Sequence, residues 1–145
     1  MTTTGRQEFV TVTSSPARRV RAMVRYAAAA ICGGVAVFYL AYFFVVNDRE
    51  QAAVAHTESM APVYLLGAAL FLVGAVLLLV TDRAVLWAVG AIVPLLAVAL
   101  YLWNGVHGVW DDPVAGALVS AAEVVLLLLL VSLAVSPPTG VASRS

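Results

Sequence analysis

The chain has 145 residues, 63% of them hydrophobic and only 11% charged, with a formal net charge of zero. That composition lies far outside the range of soluble domains and makes lipid the expected solvent. It leaves no room for a separate soluble catalytic domain, because four membrane crossings of roughly 20 residues each would use more than half of the chain, and the neutral balance gives no ground for a nucleic-acid partner.

All eight positive charges are Arg, and Ala, Val and Leu dominate the remainder. This usage points to a bacterium with a GC-rich genome. Cys32 has no second cysteine to pair with and falls inside an apolar run, where a small buried hydrophobe is the expected role.

Residues 1–25 are rich in Thr, Ser and Arg and contain Pro16, so they read as a flexible cytoplasmic arm. The stretch from Phe9 to Thr13 alternates like a short strand but has no second strand to pair with. Four apolar runs follow, at about 26–46, 60–80, 84–103 and 114–134, with residues 136–145 as a second cytoplasmic tail. A lipid-exposed strand would leave backbone groups unpaired, so each run is expected to be a helix. The predicted fold is therefore all-α, an integral membrane four-helix bundle with both ends inside.

Orientation follows from charge. Arg6, Arg18, Arg19, Arg21 and Arg25 precede the first run, whereas the loop after it carries Asp48, Arg49, Glu50 and Glu58, so the positive-inside rule places the amino terminus in the cytoplasm of a plasma membrane. Tyr39, Tyr42, Tyr64, Tyr101, Trp103 and Trp110 are expected near the outer boundary, and Tyr26 and Trp87 near the inner one. Ala53-Val54-Ala55 has the form of a signal-peptide cleavage site, but the apolar run before it is longer than a signal core of roughly 7–15 residues.

In the first span Ala30 and Gly34, with Ala29 and Gly33 beside them, form a small-xxx-small patch, and Gly67 and Gly74 mark one side of the second span. All are expected to be helix-packing positions. Between the second and third spans Thr81-Asp82-Arg83 leaves almost no slack, which predicts antiparallel neighbours with Thr81 or Asp82 capping the third helix. Asp112-Pro113 reads as an N-cap followed by Pro at the first position of the fourth helix.

Glu123 is the most informative residue, because it falls near the middle of the fourth span, where an ionisable side chain is costly and faces protein or water. The expected partner is the carbonyl of Gly90, which Pro94, lacking an N–H, leaves without its helical bond; Ser120 extends the polar face by one turn. Such a group serves as packing glue, as a proton- or cation-handling site, or in docking to another subunit. On the outer loops His56, Glu58, His107 and Asp111 are weak metal candidates, since nothing in their spacing demands a ligand set.

Neither histidine lies at membrane depth, so no haem is expected, and no nucleophile elbow or phosphate-cradling loop is present; no cofactor is expected at all. The first functional reading is a non-enzymatic accessory or scaffold subunit of a larger membrane complex, its partners being lipid and either other membrane subunits or copies of itself. The second is a proton- or cation-coupled transporter component built on Glu123. A lipid-directed enzyme using His107 and Asp111 is a distant third.

Overall fold

The computed structural model describes residues 16–52, 61–107 and 113–136. These form helices α1 (Pro16–Ala52), α2 (Ala61–Val80), α3 (Ala84–Gly90), α4 (Ile92–Val106) and α5 (Pro113–Val135), with no strand among the described residues. Because α3 and α4 are one crossing interrupted at Ala91, four segments among the described residues are long and apolar enough to span a membrane. The chain is a small multi-pass helical membrane protein. The Phe9 to Thr13 segment lies outside the described residues.

The first crossing begins ten residues earlier than its apolar run: α1 has 37 residues and starts at Pro16, so the part of the predicted arm from Pro16 to Arg25 is helical. The local reason is composition, since Ala, Arg and Met favour helix and Pro is well suited to the first turn. At 1.5 Å per residue α1 is about 55 Å long, some 25 Å more than a hydrocarbon core of about 30 Å. Its charged ends therefore extend past the apolar layer, and the segment 47–52, read from sequence as loop, continues the helix.

The break in the third crossing follows from Pro94. Its missing N–H orphans the carbonyl of Gly90, the chain turns at Ala91, and helical bonding continues on either side through Ala91 N to Trp87 O at 3.0 Å and Leu95 N to Ala91 O at 3.3 Å. At the start of this crossing the N-cap residue is Arg83, with no side-chain cap bond. This corrects the expected capping by Thr81 or Asp82: Thr81 Oγ1 donates backward to the Leu77 carbonyl at 2.8 Å, and Asp82 is drawn to α1.

The short turn also fails to make its two crossings neighbours. Helix α2 lies along α1, and α5 packs against α1, α3 and α4, but α2 scarcely touches α3 or α4. The order around the bundle is α2, α1, α5, then α3 with α4. Arg83 is extended (φ −119°, ψ 120°), which carries the chain away from α2 instead of folding it back. The core sits where α1, α2, α3 and α5 converge and contains Ala28, Cys32, Val35, Phe71, Leu78, Trp87, Leu126 and Leu133.

Small residues divide into two groups. A Cβ on Gly67 would lie 3.4 Å from the Tyr39 ring and one on Gly74 would lie 3.7 Å from Cys32 Sγ, so both mark the seam between α1 and α2. At Gly33, Gly34 and Gly90 a Cβ would meet nothing within 4 Å. Gly33 and Gly34 are therefore not packing positions within this chain; with Ala30 exposed beside them, they leave an uncovered face on α1.

Gly67→Leu is expected to lose about 1–3 kcal/mol by forcing the Tyr39 ring from its place, whereas Gly34→Leu leaves the stability of the isolated chain unchanged. Thermal unfolding of both variants in mild detergent checks this contrast.

Candidate functional site

Two polar clusters join the helices. In the first, Tyr39 on α1 points across the bundle and its hydroxyl donates to Glu123 Oε1 on α5 at 2.8 Å. Glu123 is 1% exposed. The tyrosine is fixed by aromatic contacts: its ring stacks on Phe71 at 5.6 Å with an interplanar angle of 13° and lies 6.0 Å from Tyr64. Gly67 gives the ring its space.

The partner of Glu123 is thus Tyr39 and not the Gly90 carbonyl. The orphaned carbonyl of the third crossing is where Pro94 predicts it, but Glu123 lies on the helix face turned to α1. Tyr39, expected at the outer boundary, is instead an interior donor. The signal was its depth: it sits seven residues inside the predicted end of the first span, about 10 Å into the apolar layer. Ser120, one turn from Glu123, is 7% exposed and its Oγ has no hydrogen-bond partner among the described residues.

The second cluster closes the arginine-rich end of the bundle. Arg21 is 7% exposed although it carries a full charge. Its Nη2 lies 2.8 Å from Asp82 Oδ1, its Nε donates to both Asp82 oxygens at 3.1 and 3.2 Å, and its Nη1 donates to the carbonyls of Leu133 at 3.2 Å and Ser136 at 2.8 Å. One guanidinium therefore ties α1 to the 81–83 turn and to the free carbonyls at the end of α5. Arg25, one turn on, donates to the Leu78 carbonyl at 3.1 and 2.9 Å and to that of Leu79 at 3.1 Å, capping α2.

From sequence these arginines read as topology-setting charges at an anionic lipid surface and not as joints between helices. Their spacing held the missing signal: positions 21, 25, 28 and 32 follow one helical stripe, the lower part charged and the upper part buried core. The Arg21 guanidinium bonded to Asp82 holds that carboxyl below the usual aspartate range, with hydrogen bonding as the main cause and the nearby charges of Arg21 and Arg25 adding to it.

Of the loop candidates only His107 lies among the described residues. His56, Glu58 and Asp111 lie outside the described residues, as does Asp112; Pro113 does open α5. His107 is exposed, with Nδ1 2.8 Å from the Trp103 carbonyl and its ring 4.5 Å from the Trp103 ring. Among the described residues no group of three His, Cys, Asp or Glu side chains is placed to hold a metal.

No family model, characterised protein or solved structure matches the chain. The polar clusters therefore have to be read from their own geometry. Both connect different helices, and both direct their bonds inward.

Tyr39→Phe leaves the Glu123 carboxyl buried without its donor and is expected to cost about 1–3 kcal/mol, while Glu123→Gln keeps an acceptor for the Tyr39 hydroxyl and costs less than about 1 kcal/mol. Detergent-phase thermal denaturation orders the two. Asp82 generates a separate expectation. Its lowered pKa means that its stabilisation is complete above the ordinary aspartate value of about 3.9 and is lost as pH falls through the folded-state value. The unfolding midpoint of the unmodified protein should drop more steeply below that pH than the midpoint of Asp82→Asn, measured across the same acid series.

Proposed function

We propose that this chain is a non-enzymatic accessory or scaffold subunit of a larger membrane complex, set in a plasma membrane with its arginine-rich end and both termini on the cytoplasmic side. The observation that carries this reading is the uncovered small-residue face of α1. Gly33 and Gly34 have open space where a side chain would stand, and Ala30, Gly34, Val37 and Ala41 are all exposed along the helix. Such a face lets a helix from another subunit approach closely, which in lipid is a main source of helix association.

The inward bonding supports the same reading. Arg21, Arg25 and Asp82 hold the bundle together at one end, and Tyr39 with Glu123 holds α1 to α5 deeper in. A subunit whose interior is tied in this way presents a fixed exterior. The orientation rests on the arginines gathered at the amino-terminal end of the first crossing.

A second reading, a proton- or cation-coupled transport component, is favoured by one specific feature. Glu123 and Ser120 lie within one turn of each other in the interior, and the Ser120 hydroxyl has no partner among the described residues. An acid beside an unused hydroxyl is the kind of pair on which a proton or small cation is held.

Purification in mild detergent separates the readings. A stoichiometric membrane partner retained by the unmodified protein and lost with Gly34→Leu is the expected result, together with no liposome flux. Recovery of a lone chain, combined with proton or cation flux that disappears in Glu123→Gln, would replace the subunit reading by the transport one.

A further inference from the structure

The sparse contact between α2 and the third crossing leaves an apolar groove of about 200 Å³. One wall is α2 from Leu70 to Leu78, the other is α3 and the start of α4 from Leu86 to Pro94, and Leu126 and Leu130 of α5 form the floor with Cys32. We propose that this groove is a binding site for one acyl chain of an anionic phospholipid from the leaflet at the arginine-rich end, with the headgroup phosphate at Arg83.

Length decides between a lipid chain and a protein helix. Eight residue steps on each wall give a groove about 12 Å long at 1.5 Å per residue. It starts within one turn of the 81–83 turn, and Leu70 lies ten residues from the end of α2, about 15 Å deep. The groove therefore runs from one boundary to the middle of a hydrocarbon core of about 30 Å. That is the depth of a single leaflet's acyl chain. A transmembrane helix would need a seam of twice that length.

The groove has a cause in the sequence. Pro94 breaks the third crossing beside Gly90, the upper half of the crossing continues as α4 against α5, and Gly90 and Gly74 offer no side chain to fill the space below. The groove is apolar throughout its depth, with the Trp87 ring near its mouth.

Charge fixes the headgroup. At the arginine-rich end of the bundle, next to the Leu78 and Leu86 end of the groove, Arg21 and Arg25 pair with the carboxylate of Asp82, and Arg83 stands exposed one turn before Leu86 with no ion pair among the described residues. Among the described residues at this end, three arginines against one aspartate leave a surplus of positive charge, and the one contributed by Arg83 is open to an anion. A zwitterionic headgroup gains less from this surplus than an anionic one.

The site does not depend on the subunit reading, since the groove lies between α2 and α3 and the uncovered small-residue face lies on α1. Its test uses the full chain with Trp87 as the sole tryptophan (Trp103→Phe and Trp110→Phe), reconstituted in phosphatidylcholine vesicles. Phosphatidylglycerol or phosphatidylcholine with brominated acyl chains is then titrated in, and quenching of Trp87 is read. Brominated phosphatidylglycerol is expected to associate about fivefold more strongly than brominated phosphatidylcholine, the factor appropriate to one arginine at an anionic headgroup. Arg83→Gln should bring the ratio close to one, and Gly90→Leu, which places a side chain in open space inside the groove, should remove the strong quenching by both lipids. Equal association of the two lipids with the unmodified groove would overturn the proposal without recourse to any groove variant. So would an unquenched Trp87, which would show the groove filled by protein.

Discussion

A charged guanidinium with almost no access to solvent is the constraint around which this bundle is arranged. Arg21 is buried at one end of the first crossing, where removing its charge from water is costly unless every donor finds an acceptor. It finds them on two other segments: Asp82 in the turn between α2 and α3, and the carbonyls of Leu133 and Ser136 at the end of α5. Because these acceptors come from distant parts of the chain, satisfying one side chain sets the relative positions of α1, the 81–83 turn and α5. Arg25 repeats the device on α2.

The same constraint explains the open side of the molecule. Asp82 is turned to α1 and makes no cap bond to α3, and the extended Arg83 carries the third crossing away from α2. Helix α5 then occupies the position beside α1, and the two crossings joined by the shortest connection end up apart, with an apolar groove between them. Deeper in the bundle the Tyr39 to Glu123 bond ties α1 to α5 in the same arrangement. Two polar joints at different depths resist rotation of α1 about its axis more than either would alone.

The number of crossings, their helical character and the carbonyl orphaned by Pro94 were legible in the sequence because they depend on local properties: apolar length, backbone satisfaction and a missing N–H; that the third crossing would break at Ala91 was not. Glu123 was legible as a buried polar group for the same reason. Its partner was not, because which face of α5 meets which helix is a matter of packing order, and chain connectivity suggested the wrong order. The small residues show the same division. Gly67 and Gly74 meet α1, a partner their spacing does not name, while Gly33 and Gly34, equally suggestive in sequence, turn away from the other described helices. The helical start at Pro16 was hidden by reading polarity as disorder, although Arg and Ala are good helix formers. Positions 21 and 25 carried a stripe that composition alone did not reveal.

The account stands on the joint between Arg21 and Asp82, and a double-mutant cycle measures it most directly. Arg21→Gln, Asp82→Asn and the double variant are unfolded thermally in the same detergent at neutral pH, and the coupling between the two positions is extracted. The structure predicts a coupling of about 1–3 kcal/mol, below the 3–5 kcal/mol of breaking a fully buried pair because the Asp82 side chain keeps a third of its exposure. Strictly additive losses would contradict it, because they would mean that these two residues hold the helices independently or not at all.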